Sequence, residues 1–540
     1  MHAFFTWLSS FSPETYAAAM TYVNMLIWVL TGIVLLAVLA RSFRGARQKT
    51  VTRSYRIFFF VLAALFAAVL AYQATWQLAG FARPEFVKFM KRYNRRPDNP
   101  AALMMRGRIL DRHGEALAQM DPDRPGKRWY PIAAAGAHIV GYENAYYGLF
   151  GIEAAENAVL SGISTGSEDE RQQFRKNLLR REELRGNDVQ LTLDQSLQRE
   201  AHTLMKGRRG AVVAMDPSSG ALLVVYSSPG FDPNNLQPEL FEQRDKEARM
   251  MNRALQGLYP AGSTFKVLVA AAALELGMNP RYDCPAEGYR AGNANRPIRD
   301  HEYYDFQRRG QVWRGHGTIN MRDALAKSSN IYFARLGVDI GGDRLREAVM
   351  AFGFDRSWTI HEGASGSLAS LAGRFPDLDK KDMAKTAQIS IGQGEMLVTP
   401  LHMAIMAAAI GRQGAWWSPR LVASSPPKPL DPCMSPDTAR TLAGMMRFAV
   451  THGSGSGANI DGLSVAGKTG TAQNPRGEDH SWFIGFAPSD HARLAFAVII
   501  EHGGYGSEAA VPVAAGLLRK AQANGYFDVA KPSSPPREER

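Results

Sequence analysis

The sequence predicts a mixed α+β protein whose main domain is built on one antiparallel sheet. Residues 210–226 (GAVVAMDPSSGALLVVY) contain two apolar runs joined by a Pro-Ser-Ser-Gly turn, which is the pattern of a β-hairpin. Three further strands are predicted much later in the chain, at 463–473, 481–487 and 494–501. Because strands from both ends of the domain have to meet in one sheet, this order of elements is typical of an α+β layering.

The segments between these strands are predicted to be helical. Alanine-rich runs follow Ser263, lie around Ala324 and occupy 384–410, and a closing helix includes 516–523. Residues 529–540, which end in KPSSPPREER, have the composition of a disordered tail.

The composition is that of a folded protein and excludes a disordered or collagen-like chain, because 45% of the residues are hydrophobic and 21% are charged. The formal net charge is +12. The basic residues concentrate beside apolar segments, so contact with lipid headgroups explains this charge better than binding to nucleic acid. Cys284 and Cys433 are far apart and fit no metal-ligand pattern, so neither a metal nor a cofactor is expected. Whether these two cysteines form a disulfide is left open.

Two uncharged apolar segments, 21–40 and 57–80, are long enough to span a bilayer as helices. The loop between them, 41–56, carries six Lys or Arg residues, whereas residues 1–20 carry none. The positive-inside rule therefore places this loop in the cytoplasm, and places residues 1–20 and the large C-terminal part outside. The basic stretch after the second segment (FARPEFVKFMKRY) is interpreted as lying along the outer headgroups. A helical hairpin buried in a soluble core is the alternative.

Residues 81–193 are predicted to form a linker and a stalk domain. The linker is PDNPAALM at 97–104, and the charged stretch 168–185 resembles a solvated helix. This part is too small and too polar to contain the main core, which is therefore assigned to 194–528.

Ser263 and Lys266 form an S-x-x-K pattern at the start of an apolar helical run, directly after a Tyr-Pro-Ala-Gly turn. Residues at i and i+3 share a face of a helix, so the amine of Lys266 can reach the hydroxyl of Ser263. A lysine whose pKa is lowered by burial can take the serine proton and activate the oxygen as a nucleophile. An ordinary helix N-cap is the alternative. The pattern alone is weak evidence, because Ser425 and Lys428 repeat it around two prolines that forbid a helix.

A second motif, Ser328-Ser329-Asn330, lies in a break between two helical runs. We assign Ser328 a proton-shuttle role and Asn330 a hydrogen bond to the amide of a substrate. A helix cap is the alternative for this motif.

A third motif, Lys468-Thr469-Gly470-Thr471, lies inside a predicted strand. Glycine weakens the interior of a strand, so Gly470 indicates that another chain approaches closely, as an extended substrate added along the strand edge would do. Lys468, Thr469 and Thr471 would then bind the terminal carboxylate of that substrate. The backbone N–H groups of Thr471 and Ser263 would form an oxyanion hole. A solvent-facing strand is the alternative, but the three motifs in this order indicate a serine acyl-transferase.

These motifs and the blocks around them resemble the penicillin-binding protein transpeptidases, in particular the monofunctional class B group. The resemblance extends from about residue 106 to residue 518. In the stalk its blocks are RGRILDR at 106–112, YP at 130–131, AH at 137–138, GY at 141–142 and GIE at 151–153. In the main domain they are NRA at 252–254, GQG at 392–394, TP at 399–400 and WFIGFAP at 482–488.

The resemblance implies a five-stranded antiparallel sheet with helices on both sides, the fold shared with serine β-lactamases. It implies a D,D-transpeptidase in which Ser263 attacks D-Ala-D-Ala, forms an acyl-enzyme and passes the acyl group to an amine of a neighbouring stem peptide. β-Lactams would acylate the same serine. The implied partners are peptidoglycan stem peptides, lipid-linked strands and a SEDS-family glycosyltransferase, with a role in cell-wall synthesis and cell shape. The implied location is the bacterial inner membrane, with the catalytic domain in the periplasm.

The chain departs from that group in having two predicted spans, where one is usual, and in its short stalk. No glycosyltransferase domain fits in residues 81–190, which excludes a bifunctional class A enzyme. Two other functions are compatible with the motifs. One is a serine β-lactamase, although no base for deacylation is identified in the sequence. The other is a membrane-bound β-lactam sensor or scaffold, although the loop 41–56 is short for a signalling element.

Overall fold

The computed structural model describes residues 60–67, 69–70, 104–124, 126–162, 184–242, 245–379, 381–474 and 477–528. The chain divides into two compact units, Met1–Pro97 and Asp98–Arg540. In the first unit the described residues are helical, and most of their large apolar side chains are exposed, for example Phe60 at 65% and Leu65 at 63%. No helix among the described residues has both the length and the apolar character that crossing a membrane requires.

Several predicted segments lie outside the described residues. They are the N-terminal segment 1–20, the first predicted span 21–40, the basic loop 41–56, most of the second predicted span 57–80, most of the linker, residues 168–183 of the charged stretch and the tail 529–540. Of the predicted solvated helix, Leu184–Arg185 is described, and it is a strand that pairs in parallel with Met104–Met105.

The sheet of the main domain has five strands, numbered here in chain order: β1 Gly210–Met215, β2 Leu222–Ser228, β3 Ala466–Ala472, β4 His480–Ala487 and β5 Leu494–Ile500. Their spatial order is β2-β1-β5-β4-β3, and every pair is antiparallel. The predicted hairpin and the three predicted late strands are thus confirmed, and β3 lies at one edge of the sheet.

The helices of this domain are numbered in the same way. They are α1 Gln195–Leu204, α2 Arg253–Gln256, α3 Lys266–Glu275, α4 His301–Arg308, α5 Met321–Lys327, α6 Asn330–Ile340, α7 Gly342–Ala351, α8 Met383–Ser390, α9 Pro400–Gly411, α10 Pro436–His452 and α11 Ala510–Ala523. Short 3-10 helices occur at Pro238–Phe241, Gly262–Phe265 and Ser456–Ala458. Small two-stranded ribbons pair Tyr282–Cys284 with Gly317–Ile319, Thr359–Glu362 with Ser367–Ala369, and Trp416–Trp417 with Pro429–Leu430.

Helices cover both faces of the sheet. Alternate residues of β1 enter two different apolar clusters, with Val213 facing the cluster of α3 and α9, and Val212 facing the cluster of α1 and α11. Since side chains alternate across a strand, these two clusters lie on opposite faces. A strand covered on both sides has to be apolar throughout, which explains why every residue of β5 is buried.

The predicted helix 384–410 is wrong as a single element, because the structure divides it into α8 and α9. The separating turn contains Gly392 at φ +75°, where an added Cβ would lie 1.9 Å from the carbonyl oxygen of Gly262. Thr399 then caps α9 through the backbone N–H of His402. The turn between α8 and α9 therefore allows the backbone at Gly392 to lie against Gly262.

The stalk contains a four-stranded sheet in the order Arg128–Trp129, Ala116–Met120, Ile109–Leu110 and Val189–Gln190. A hairpin pairs Tyr142–Asn144 with Gly148–Phe150, and short helices are Ala133–Ala135, Ala137–Val140, Ile152–Ala155 and Asn157–Leu160. At its centre the fully buried carboxylate of Glu153 forms ion pairs of 2.6 Å with both Arg106 and Arg128.

Candidate active site

The S-x-x-K segment begins in a tight turn and continues into a buried helix. Gly262–Phe265 is a 3-10 helix that leads directly into α3. Trp482 anchors the preceding turn, because its indole N–H donates to the Pro260 carbonyl at 3.0 Å. Ser263 is partly exposed, whereas Lys266 is completely buried, and its Nζ lies 3.0 Å from Ser263 Oγ. The structure therefore places the predicted base in direct contact with the predicted nucleophile.

The S-x-N segment supplies the other two acceptors of the Lys266 amine. Lys266 Nζ donates to the backbone carbonyl of Ser328 and to Oδ1 of Asn330, both at 2.7 Å. Three hydrogen bonds in a buried setting fix the direction of this amine relative to Ser263. Asn330, which was predicted to face the substrate, thus also positions Lys266.

The backbone at Ser328 adopts a conformation that is uncommon for a residue with a side chain. Its φ of 58° and ψ of 36° are left-handed, and it ends α5 one residue before Ser329 caps α6. This conformation directs the Ser328 carbonyl to one lysine while its hydroxyl accepts from Nζ of Lys468 at 2.9 Å. Local strain of this kind persists where surrounding contacts hold it, and such positions cluster at functional sites.

The two lysines are buried close together, and their pKa values reflect this. Burial lowers the pKa of Lys266 to about 7, although the charges of Asp300 and Glu302 act to raise it. Burial, followed by the charge of Lys266, lowers the pKa of Lys468 well below its usual value. Near neutral pH a large share of Lys266 is therefore neutral and able to accept a proton.

The K-T-G segment lies in β3 at the edge of the sheet, with Thr469 opposite Phe483 of β4. Lys468 is completely buried, whereas Thr471 is partly exposed. The Thr469 hydroxyl is hydrogen-bonded to the hydroxyl of Ser454. An edge strand presents backbone groups to an added chain, so β3 is suited to binding an extended peptide.

Glycines allow β3 to lie close to the nucleophile. An added Cβ at Gly470 would meet the Thr264 side chain at 2.8 Å, and one at Gly262, whose φ is +54°, would lie 2.6 Å from the Thr471 carbonyl oxygen. The segments of Ser263 and Thr471 are therefore side by side, which is the placement that an oxyanion hole made from their N–H groups requires.

Sequence reasoning missed Asp300, which lies behind the S-x-N segment. Its carboxylate is fully buried and accepts hydrogen bonds from the Ser329 hydroxyl and from the backbone N–H groups of Asn330 and Ile331. The local sequence gives no signal for this contact, because it joins residues 29 to 31 positions apart.

The second S-x-x-K pattern has no comparable surroundings. Ser425 lies in a bend, and Lys428 is exposed beside a short ribbon. Cys284 and Cys433 are both free thiols and do not form a disulfide with each other. In the part of the chain that the structure describes, no three His, Cys, Asp or Glu side chains are arranged to hold a metal ion.

Comparison with known families matches two regions of the chain. Residues 210–519 match the family described as the penicillin binding protein transpeptidase domain, and residues 106–189 match the penicillin binding protein A dimerisation domain. The first of these regions is more than half of the chain.

Individual relatives agree with these matches. Over 416 residues the chain is 32% identical to the peptidoglycan D,D-transpeptidase PbpA of Mycolicibacterium smegmatis, covering 70% of this chain and 79% of the relative. It is 30% identical over 445 residues to the peptidoglycan D,D-transpeptidase MrdA of Acinetobacter baumannii, covering 71% of this chain and 64% of that relative.

Solved structures are similar as well. The ceftriaxone acyl-enzyme of penicillin-binding protein A from Mycobacterium tuberculosis superposes with a TM-score of 0.68 at 26% identity, covering 78% of this chain and 99% of that one. A Pseudomonas aeruginosa PBP2 structure gives a TM-score of 0.64 at 30% identity, covering 77% and 95%.

Proposed function

The chain belongs to the penicillin-binding protein transpeptidases, and we propose that it is a class B peptidoglycan D,D-transpeptidase with Ser263 as its nucleophile. The observation that carries the proposal is the 3.0 Å contact between Ser263 Oγ and the buried amine of Lys266. A serine hydroxyl needs a base to become an effective nucleophile, and a lysine with a pKa of about 7 is suited to that role at neutral pH.

Acylation begins when neutral Lys266 takes the proton of Ser263. The freed Oγ attacks the carbonyl carbon of the penultimate D-Ala, and the carbonyl oxygen becomes an oxyanion held by the N–H groups of Ser263 and Thr471. When the C–N bond breaks, the departing D-Ala nitrogen receives a proton through Ser328, whose hydroxyl is bonded to Lys468. The products are an ester on Ser263 and free D-Ala.

The substrate binds as an added strand along β3. Its terminal carboxylate is bound by Lys468 and by the hydroxyls of Thr469 and Thr471. In the structure Lys468 donates to the Ser328 hydroxyl and to the Thr469 carbonyl. An arriving carboxylate favours the protonated form of a buried lysine, so substrate binding raises the pKa of Lys468 from its lowered value.

The acyl group then passes to an amine of a neighbouring stem peptide. That amine attacks the ester carbonyl and gives a proton to the Ser328–Lys468 pair, which lost one during acylation. When the C–O bond of the ester breaks, Lys266 returns its proton to Oγ, so the crosslinking amide forms and the Ser263 hydroxyl is regenerated. A β-lactam offers a similar carbonyl next to a carboxylate, but its leaving group stays attached. The Ser263 ester that it forms is therefore long-lived.

The proposed location of the enzyme rests on the pattern of two sequence segments that lie mostly outside the described residues. The uncharged runs 21–40 and 57–80 would anchor it in the cytoplasmic membrane, with the basic loop inside and the catalytic domain in the periplasm. A SEDS-family glycosyltransferase that contacts the membrane segment and the stalk would supply lipid-linked strands for crosslinking.

Covalent labelling tests this proposal. Membranes that contain the wild-type chain should take up a fluorescent penicillin at the mass of this protein, and Ser263→Ala should abolish the label. Ser425→Ala is the matched control, since it removes the serine of the second S-x-x-K pattern and should label normally. Labelling of Ser263→Ala would refute the assignment of the nucleophile. Rapid turnover of a chromogenic cephalosporin would instead favour a β-lactamase.

A further inference from the structure

We propose that Asp300 is a positioning residue of this active site, which holds the Ser328–Asn330 segment in the arrangement that directs the Lys266 amine at Ser263. The proposal rests on the proposed function, because it assigns Asp300 a part in the acylation of Ser263. Asp300 does not touch Ser263 or the substrate, so it acts entirely through its neighbours.

Asp300 is held by several hydrogen-bond donors at the start of α6. Ser329 Oγ donates to its two carboxylate oxygens at 2.9 and 3.1 Å, and the backbone N–H of Ile331 donates at 3.0 Å. The backbone N–H of Asn330 donates as well. All of these donors belong to the first turn of α6 and its cap. A fully buried carboxylate with this set of partners fixes the start of α6.

Asn330 connects the region around Asp300 to Lys266, the proposed base. The side-chain amide of Asn330 is held at both ends, because its Nδ2 donates to the Arg299 carbonyl at 3.0 Å and its Oδ1 accepts from Lys266 at 2.7 Å. The Ser328 carbonyl also accepts from Lys266 at 2.7 Å. The Arg299 carbonyl thus holds the Asn330 acceptor directly, and the Asp300 carboxylate acts on the Ser328 acceptor through the adjoining Ser329.

The charge of Asp300 also acts on the amine of Lys266. The negative charges of Asp300 and Glu302 raise the pKa of Lys266 against the larger effect of burial. His316 lies against both carboxylates, with its Nε2 at 3.5 Å from Asp300 and at 3.4 Å from Glu302. The other ionisable group nearby is the buried amine of Lys468, whose own pKa the Lys266 charge lowers, and the ring of Phe333 lies 6.0 Å from Lys266 Nζ. Loss of the Asp300 charge therefore lowers the pKa of Lys266.

Two variants separate geometry from charge. Asp300→Asn removes the charge and weakens the anchor, so the acylation rate should fall by about 10-fold or more. The acid limb of its pH–rate profile should move to lower pH by about one unit. Ser329→Ala keeps the Asp300 charge but removes the hydroxyl that donates to Asp300 and accepts from the Tyr332 N–H. Its rate should therefore fall by roughly 3- to 10-fold without a shift of the limb.

Asp216→Asn is the matched control. Asp216 accepts three hydrogen bonds in the turn between β1 and β2, from the N–H and hydroxyl of Ser218 and from the hydroxyl of Ser219. It is thus an aspartate with a similar number of partners that has no connection to the catalytic motifs, and its substitution should change neither rate nor profile.

The measurement is the rate of labelling of the full chain by a fluorescent penicillin between pH 5 and pH 9, with thermal unfolding recorded for each variant. If the wild type does not label, the proposed function fails. If the wild type labels and folded Asp300→Asn keeps its rate and profile, the positioning role fails. An equal loss of rate at every pH in Asp300→Asn also overturns it, since a merely structural residue gives that result. Should Asp300→Asn not fold, Ser329→Ala becomes the test, and its limb is expected not to move because the Asp300 charge is kept. A wild-type rate then overturns the proposal, and a reduced rate at a temperature where thermal unfolding shows the variant to be folded supports it.

Discussion

Nζ of Lys468 lies 2.9 Å from the hydroxyl oxygen of Ser328, across a sequence separation of 140 residues. The contact joins the S-x-N segment to the K-T-G strand. It also gives the Ser328 hydroxyl a partner that can supply or take a proton on the way to the leaving amine. If the two side chains form one proton path, removing either one should interrupt it.

A double-mutant cycle tests this relationship. We expect Ser328→Ala and Lys468→Met each to slow acylation by a fluorescent penicillin by roughly 10²- to 10⁴-fold, the usual contribution of acid–base groups. The double variant should be about as slow as the slower single variant, because both changes interrupt the same step. Rates that multiply in the double variant would show that the two residues act independently.

The pH dependence of acylation should report Lys266. The base has to be neutral to accept the Ser263 proton, and the pKa of Lys266 is about 7 because of burial. Below that pH the lysine is protonated, so the rate should fall about 10-fold per pH unit. Above it the rate should reach a plateau. A rate that is constant from pH 5 to pH 8 would contradict the role of Lys266 as the base, and Lys266→Met should remove the profile together with the activity.

The three motifs of the candidate site could be found in the sequence because each is short and depends on local spacing, and the structure brings them together. Ser263 and Lys266 are one helical turn apart, and Lys468 lies in a strand whose apolar pattern is clear. The positions of the five sheet strands were predictable for the same reason, since alternating and apolar runs report strands directly.

Other features depend on contacts between distant segments, and these could not be predicted. Asp300 acquires its role only when the fold brings it to the start of α6. The end of α8 was missed, although two glycines and a Thr-Pro pair mark it, because alanine-rich flanks favoured one long helix. The reason for the break is the approach of Gly392 to Gly262, and that contact joins segments far apart in sequence.

Gly392→Ala should displace the segment that carries Ser263, because Gly392 contacts the preceding residue, Gly262. The added Cβ would lie 1.9 Å from the Gly262 carbonyl oxygen, so the backbone at Gly392 would have to move away from Gly262. That movement would strain the hydrogen bond of 2.9 Å that the Gly262 N–H donates to the Gly392 carbonyl. We expect a loss of about 2–4 kcal/mol in the free energy of unfolding and a slower acylation. Thermal unfolding and penicillin labelling measure the two effects.

Gly207→Ala is the control that separates the effect of a positive φ from the effect of the contact with Gly262. Its φ of +74° is nearly the same as the +75° of Gly392, but an added Cβ would meet no atom within 4 Å. It should therefore lose only the roughly 1 kcal/mol that a left-handed alanine costs, with normal labelling. Equal effects of the two substitutions would show that φ, and not the contact with Gly262, explains the requirement for Gly392.

The stalk should depend on Glu153 far more than on any surface charge. Its fully buried carboxylate pairs with Arg106 and Arg128 at 2.6 Å each, and the Arg128 side chain is only 1% exposed. Glu153→Gln removes the counter-charge and leaves two arginines without it, so we expect a destabilisation of about 3–5 kcal/mol in thermal unfolding. Glu347→Gln is the control, because Glu347 and Arg344 form an exposed ion pair whose side chains are 66% and 59% exposed. It should cost less than about 1 kcal/mol.

Because the Ser263 site lies in the transpeptidase domain, Glu153→Gln should keep its labelling rate at temperatures below its unfolding transition. A loss of labelling there would show that the stalk also controls the chemistry.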